Sequence, residues 1–234
     1  MSKSIWFTAV VVSILLVSPE AGSVVITGKA PVSGESRVKP KPKTLYPGRV
    51  VRTEEDSQSR DLKVESSTVV FLIPKAHQEL PRPAKRVRLD QLDFTFIPHI
   101  LPVQTGTTVD FYNLDAVFHN VFSFSKPKRF DLGRFPKGSF KSVTFDRPGL
   151  IKVFCEIHSN MSAYVLVVET PYIAIAGSDG AFFLADVPPG DYYLKVWQER
   201  GDAYQAEVEI PDAQNYNLND IGFGMLADPE KLFE

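Results

Sequence analysis

The chain has 234 residues with 26 bases and 28 acids, and its net charge of -2 suits no polyanionic partner. Hydrophobic residues make up 44% and charged ones 23%, enough for a packed core in one or two domains and too apolar for a disordered chain. One cysteine excludes an internal disulfide framework, a multi-cysteine zinc site and a C-x-x-C-H haem attachment, and four histidines are too few for a multicopper cluster.

Residues 1–23 read as a signal peptide. Lys3 is followed by the apolar run 5–17 (IWFTAVVVSILLV), then by small residues at Ala21, Gly22 and Ser23 that make a cleavage site before Val24. The run falls short of the about 20 residues that span a bilayer. Export to the periplasm is therefore expected, with no membrane span after cleavage. An exported chain with one thiol leaves it reactive, pairs it with another chain or gives it to a metal.

In residues 24–74, short β-branched runs at 24–26 and 68–73 (TVVFLI) have strand character. Between them, residues 34–65 are poor in apolar side chains and carry KPKPK and EEDSQSRD, the texture of a long exposed loop. Residues 82–169 read as strand after strand, at 86–92, 107–111, 142–145, 150–154 and 163–168. Turn signals stand at Asn113, Lys137-Gly138 and Pro148-Gly149. Short strands with no helical period between them predict an all-β sandwich or barrel. Residues 171–210 continue the theme, with apolar runs at 172–176, 181–184 and 191–197. Asp179-Gly180 is a hairpin signal and Pro188-Pro189-Gly190 a further turn. Residues 211–234 form an acidic tail, with one helical turn expected at 228–234.

The chemistry is concentrated in two segments. Cys155-Glu156-Ile157-His158-Ser159-Asn160-Met161 is a C-x2-H-x2-M run between two predicted strands, so a tight loop offers a thiolate, an imidazole and a thioether. Soft sulfur suits Cu(I), imidazole accepts Cu(II), and a weak methionine bond adjusts the balance; zinc rarely takes a thioether. A fourth ligand has to come from elsewhere, and His119 in Phe118-His119-Asn120-Val121 is the candidate. Taken singly, each segment has a bland alternative as a buried cysteine or a core histidine. Met161 is the only methionine between Met1 and Met225, and it falls inside the loop. His77 and His99 have no companion ligand beside them and read as exposed or structural.

His119-Asn120-Val121 followed by Cys155-x2-His158-x2-Met161 resembles the type 1 copper site of the cupredoxins, with a loop spacing most similar to amicyanin. Phe96-x-Pro98-x-Ile100, Gly106-x-x-Val109 and Asn113-x-Asp115 fit the same strand pattern. The resemblance covers residues 82–169. The whole mature chain is similar to exported proteins labelled methylamine utilization proteins, which join a plastocyanin-like domain to a transthyretin-like or carboxypeptidase-regulatory-like β-module. Ser178-Asp179-Gly180-Ala181-Phe182 and Pro188-Pro189-Gly190-x-Tyr192-x-Leu194-x-Val196-Trp197 carry that second likeness. It implies a Greek-key cupredoxin β-sandwich plus a second, smaller prealbumin-like β-sandwich. Residues 171–210 supply too few strands to close that second core alone, so residues 24–74 are expected to complete it around an inserted copper domain; a tandem arrangement is the alternative.

The resemblance implies one type 1 copper with Cys155 as thiolate ligand, His119 and His158 as imidazole ligands and Met161 as the weak axial ligand. The implied function is one-electron transfer without an enzymatic step. Two other readings stand beside it: a periplasmic copper carrier or sensor, and a structural envelope β-protein with a vestigial copper site. Residues 82–169 carry twelve bases against eight acids, five of the bases within 126–137. A basic rim of this kind suits an acidic redox partner, and no nucleic acid is expected.

Overall fold

The computed structural model describes residues 23–32, 67–81, 83 and 86–233. The expected signal peptide and the loop at 34–65 lie outside the described residues. What is described is all-β, with seventeen strands and one 3-10 turn at Pro229–Phe233.

Residues 86–168 build one sandwich. Its first sheet has the order β4 (Thr95–Ile97), β3 (Arg86–Leu92), β6 (Thr107–Asn113), β9 (Phe140–Phe145). Its second sheet runs β5 (Ile100–Gln104), β11 (Ser162–Val168), β10 (Gly149–Phe154), β7 (His119–Ser123), β8 (Phe130–Phe135). Strands β3 and β6 pair in parallel, as do β5 and β11, so the chain crosses between sheets instead of meandering. Inward residues such as Leu89, Val109, Phe111, Val121, Phe145, Ile151 and Val165 fill the space between the sheets. Cys155 and Met161 belong to the same core.

The other strands come from both sides of this segment. The five-stranded sheet has the order β12 (Ile173–Ile175), β2 (Thr68–Pro74), β14 (Gly190–Gln198), β15 (Ala203–Ile210), β17 (Gly224–Met225). The three-stranded sheet places β1 (Val24–Lys29) between β13 (Ala181–Val187) and β16 (Asn215–Asn217). Thus the chain leaves this second sandwich after β2 and re-enters it at β12. Alternation in β1 turns Val24, Ile26 and Gly28 inward. A Cβ at Gly28 would stand 2.6 Å from the Phe182 ring and 3.1 Å from Leu218, so only glycine admits that contact.

Strands β2 and β11 read as continuous apolar runs because each is covered on both faces. Val70 and Leu72 face the core of the second sandwich, whereas Val69 and Phe71 face a third core. In β11, Val165 and Val167 point into the first sandwich, and Leu166 and Val168 point into that third core. The third core lies between the two modules and is completed by Trp197, Ile100 and Leu232. Leu232 comes from the 3-10 turn, and buried Lys195 donates to its carbonyl at 2.9 Å.

Two expectations are corrected here. Asp179-Gly180 makes a turn, but not a hairpin: β12 joins β2 in one sheet and β13 joins β1 in the other. The partners a hairpin would have supplied come from the N-terminal strands, and Gly180 O accepts the Ala30 N–H at 2.9 Å. Residues 211–233 are not a free acidic tail. They add β16 and β17 to the two sheets and bury Leu218 and Leu232.

A polar contact also joins the modules. His99 Nε2 lies 2.7 Å from Glu199 Oε1, and its Nδ1 lies 3.0 Å from the Ser162 carbonyl, so a ring with both protons donates at each end. The His99 hydrogen bond holds the Glu199 carboxyl below its ordinary value of 4.5, although burial works against it. A carboxylate depressed in the folded state stabilises above its unfolded pKa and loses that contribution as pH falls through the folded one. Glu199→Gln is therefore expected to lower the melting temperature at neutral pH and to flatten its decline below about pH 4.5. Thermal unfolding across pH checks this, and an unchanged acid limb would show that the pair contributes nothing.

Candidate metal centre

His119 opens β7, and Cys155 follows directly on β10. The last pair between β10 and β11 is Phe154 with Ser162, so residues 155–161 are the tight connection that the strand register leaves over. The loop is closed by its own backbone: Cys155 N–H donates to Met161 O at 3.3 Å, and Met161 N–H donates to His158 O at 3.0 Å. Asn120, next to His119, pins it from the side, since its Oδ1 accepts the Glu156 N–H at 2.6 Å. In turn, the Asn120 carbonyl accepts from buried Gln91 Nε2 at 3.1 Å.

These constraints bring three donor atoms to one point. Cys155 Sγ lies 3.8 Å from His119 Nδ1 and 3.8 Å from His158 Nδ1, and the two nitrogens are 3.0 Å apart. His119 is fully buried and Cys155 is 3% exposed. Met161, the fourth expected residue, is buried in the same core at the end of the loop. His77 is exposed in the segment after β2, and His99 faces Glu199 instead of the cluster.

The outer contacts decide which ring nitrogen is available. His119 Nε2 lies 2.8 Å from Asp115 Oδ2, so that nitrogen carries the proton and Nδ1 presents its lone pair towards Cys155 and His158. Asp115 also accepts the Asp93 N–H at 2.7 Å and the Phe94 N–H at 3.0 Å. Burial pushes the Asp115 carboxyl up, but the Phe94 amide, the His119 ring and the Asp93 amide outweigh it and hold it below the ordinary range. At His158, burial and then the nearby His119 push the pKa down, against the pull of Asp115. Burial thus favours the neutral ring, the form that donates an electron pair.

The donor set fits a copper ion. The two imidazole nitrogens, 3.0 Å apart and each 3.8 Å from the Cys155 sulfur, are close enough to share one cation. Bonds of about 2.0 Å to nitrogen and about 2.3 Å to sulfur span separations of the size seen here. One soft thiolate with two imidazoles, beside a thioether in the same loop, is a copper-favouring combination.

Known structures with a similar fold are cupredoxins. A purple cupredoxin from Nitrosopumilus maritimus is 24% identical over 34% of this chain and 97% of its own, with a TM-score of 0.32. A copper-containing nitrite reductase from Thermus scotoductus SA-01 is 25% identical over 42% of this chain and 25% of its own, with a TM-score of 0.35. A Cu(I) amicyanin variant is 23% identical over 36% of this chain and 82% of its own, with a TM-score of 0.34. No family model and no curated protein matches the sequence. Each likeness is partial and low in score, so the assignment of the site rests on its own geometry.

Sequence reasoning missed Asp115 as the group that orients His119, and it missed Phe94 altogether. Asp115 had a local signal: its N–H donates to Asn113 Oδ1 in an Asx turn, and it stands four residues before the histidine. Phe94 had none, because its ring reaches the site from the β3–β4 turn. It meets His158 edge-on at 4.9 Å and His119 at 5.9 Å between ring centroids.

Proposed function

We propose that this chain is an exported blue copper protein that carries one electron at a time. The observation that carries this reading is the triangle of buried Cys155, buried His119 and partly exposed His158, with His119 held in its donating tautomer by Asp115. Copper held there would supply a Cu(I)/Cu(II) couple, with Met161 as the weak fourth donor. The protein's contribution is rigidity. Asp115, Asn120 and the backbone of the 155–161 loop fix the donors before any metal arrives, so that little rearrangement accompanies a change of charge. On this reading the protein is a carrier and not an enzyme, and it works in the periplasm after removal of residues 1–23. The second sandwich is read as a transthyretin-like module.

An acidic redox partner fits the basic edge beside the site. Arg134 on β8 is paired with Asn120 on β7, and its side chain lies 3.9 Å from that of Glu156 in the ligand loop. Lys137 follows two residues after Phe135, the strand partner of His119, whereas Lys126, Lys128 and Arg129 lie at the other end of the β7–β8 hairpin, beyond the pair of Ser123 with Phe130. Attraction of this kind speeds encounter and is screened by salt, because the Debye length shrinks to about 8 Å at physiological ionic strength.

The test is an absorption and electron paramagnetic resonance spectrum of the copper-loaded protein. An intense visible sulfur-to-copper band with one copper per chain is expected, and a colourless Cu(II) complex would overturn the assignment. Met161→Leu is expected to retain copper and raise the reduction potential, since loss of a donor disfavours Cu(II) more than Cu(I). Voltammetry of the two proteins checks it, and an unchanged potential would remove Met161 from the ligand set.

A further inference from the structure

The turn between β3 and β4 has two central residues, Asp93 and Phe94, and both are left-handed, with φ of 51° and 59°. That is the backbone of a tight hairpin turn in which Asn-Gly is the favoured pair. A phenylalanine there is a genuine outlier, and such strain persists only where surrounding contacts enforce it. Burial does not account for it, because Phe94 remains 42% exposed. Two features do. Asp115 accepts both turn amides, and the same carboxylate takes the His119 Nε2–H, so one group ties the turn to the site. The Phe94 ring then lies edge-on to both imidazoles.

We propose that Phe94 is a fixed cover over His119 and His158, held in place by Asp115, which keeps water and small anions from the metal position. The proposal rests on the copper reading above and names what makes that site closed. The aromatic ring stands edge-on to the partly exposed His158, and the opposite side is closed by the core around Cys155 and Met161.

Phe94→Gly separates this role from a packing role, because glycine suits the left-handed turn better than phenylalanine does. In the metal-free full-length protein, the variant is expected to keep or raise its melting temperature while diethylpyrocarbonate modifies His158 several-fold faster than in the wild type. In the Cu(II) protein, azide is expected to change the spectrum of the variant and leave that of the wild type unaltered. Phe94→Leu, which restores bulk without the ring, should give back part of the protection in both measurements. Unchanged labelling and unchanged azide response in Phe94→Gly would overturn the proposal, and so would a loss of stability without any gain in access. If the wild type binds no copper in a blue form, the functional reading fails, but the labelling experiment on the metal-free histidines still decides whether Phe94 covers them.

Discussion

Cys155→Ser is expected to abolish the visible colour of the Cu(II) protein. The band arises from electron donation by a thiolate sulfur, and a serine hydroxyl is a hard, protonated oxygen that offers no comparable orbital. The rest of the site should survive the change. His119 is held by Asp115, His158 is held by the loop backbone, and Asn120 still accepts the amide of Glu156. Copper can therefore still bind to the variant through the two imidazoles, but without the soft ligand that favours Cu(I). The loss of Cu(I) affinity should exceed the about 10–100-fold that removal of an outer-shell partner typically costs, because here a direct donor is removed. Absorption and a competition titration with a Cu(I) chelator read the two effects separately. A variant that stays blue would place the thiolate outside the metal site.

How much of this was legible in the sequence differs between the site and the fold. The three donors could be found because two of them share one loop and the third stands at the head of a strand. A short C-x2-H-x2-M interval has few ways to close without bringing its side chains together, and the observed loop bonds, Cys155 to Met161 and Met161 to His158, are that closure. Asp115 and Phe94 were harder because their importance comes from a turn that meets the site only in three dimensions. The strands with clear alternation or an apolar run, such as β3 and β14, were visible with nearly their final limits. Strands β4, β5, β7 and β8 were not. They are short, or are broken by proline in β5 and glycine in β8, and they take their shape from neighbours already in the sheet. The Asp179-Gly180 turn misled for a related reason. Local turn chemistry predicts that the chain reverses, and it does, but strands from more than a hundred residues earlier decide what each arm pairs with.

Those distant strands set the second large effect. A chain lacking residues 24–74 is expected to leave the C-terminal sandwich unfolded, and residues 171–233 made alone should behave likewise. Strand β2 lies between β12 and β14, in register from Thr68 opposite Gln198 to Pro74 opposite Tyr192, so its removal cuts the five-stranded sheet in two. It also strips two cores at once. Val70 and Leu72 leave the second sandwich, and Val69 and Phe71 leave the core between the modules; all four are fully buried. At about 1.5–3 kcal/mol for each large apolar side chain, these four alone approach the about 5–15 kcal/mol that separates a folded domain from its unfolded chain. Removing β1 as well takes Val24 and Ile26 from Tyr172, Phe182, Leu184, Tyr192, Leu194 and Val196, which then face water. Residues 86–169 are in a different position. Their own core closes between two sheets without help from the N-terminus, so that fragment should fold and take up copper, although Ile100, Leu166 and Val168 become an exposed apolar face that favours association. Amide hydrogen exchange on the two fragments distinguishes the cases. Slow exchange at Tyr193 and Lys195 in isolated 171–233 would show that β2 is dispensable, because those amides point towards β2 and have no acceptor strand without it.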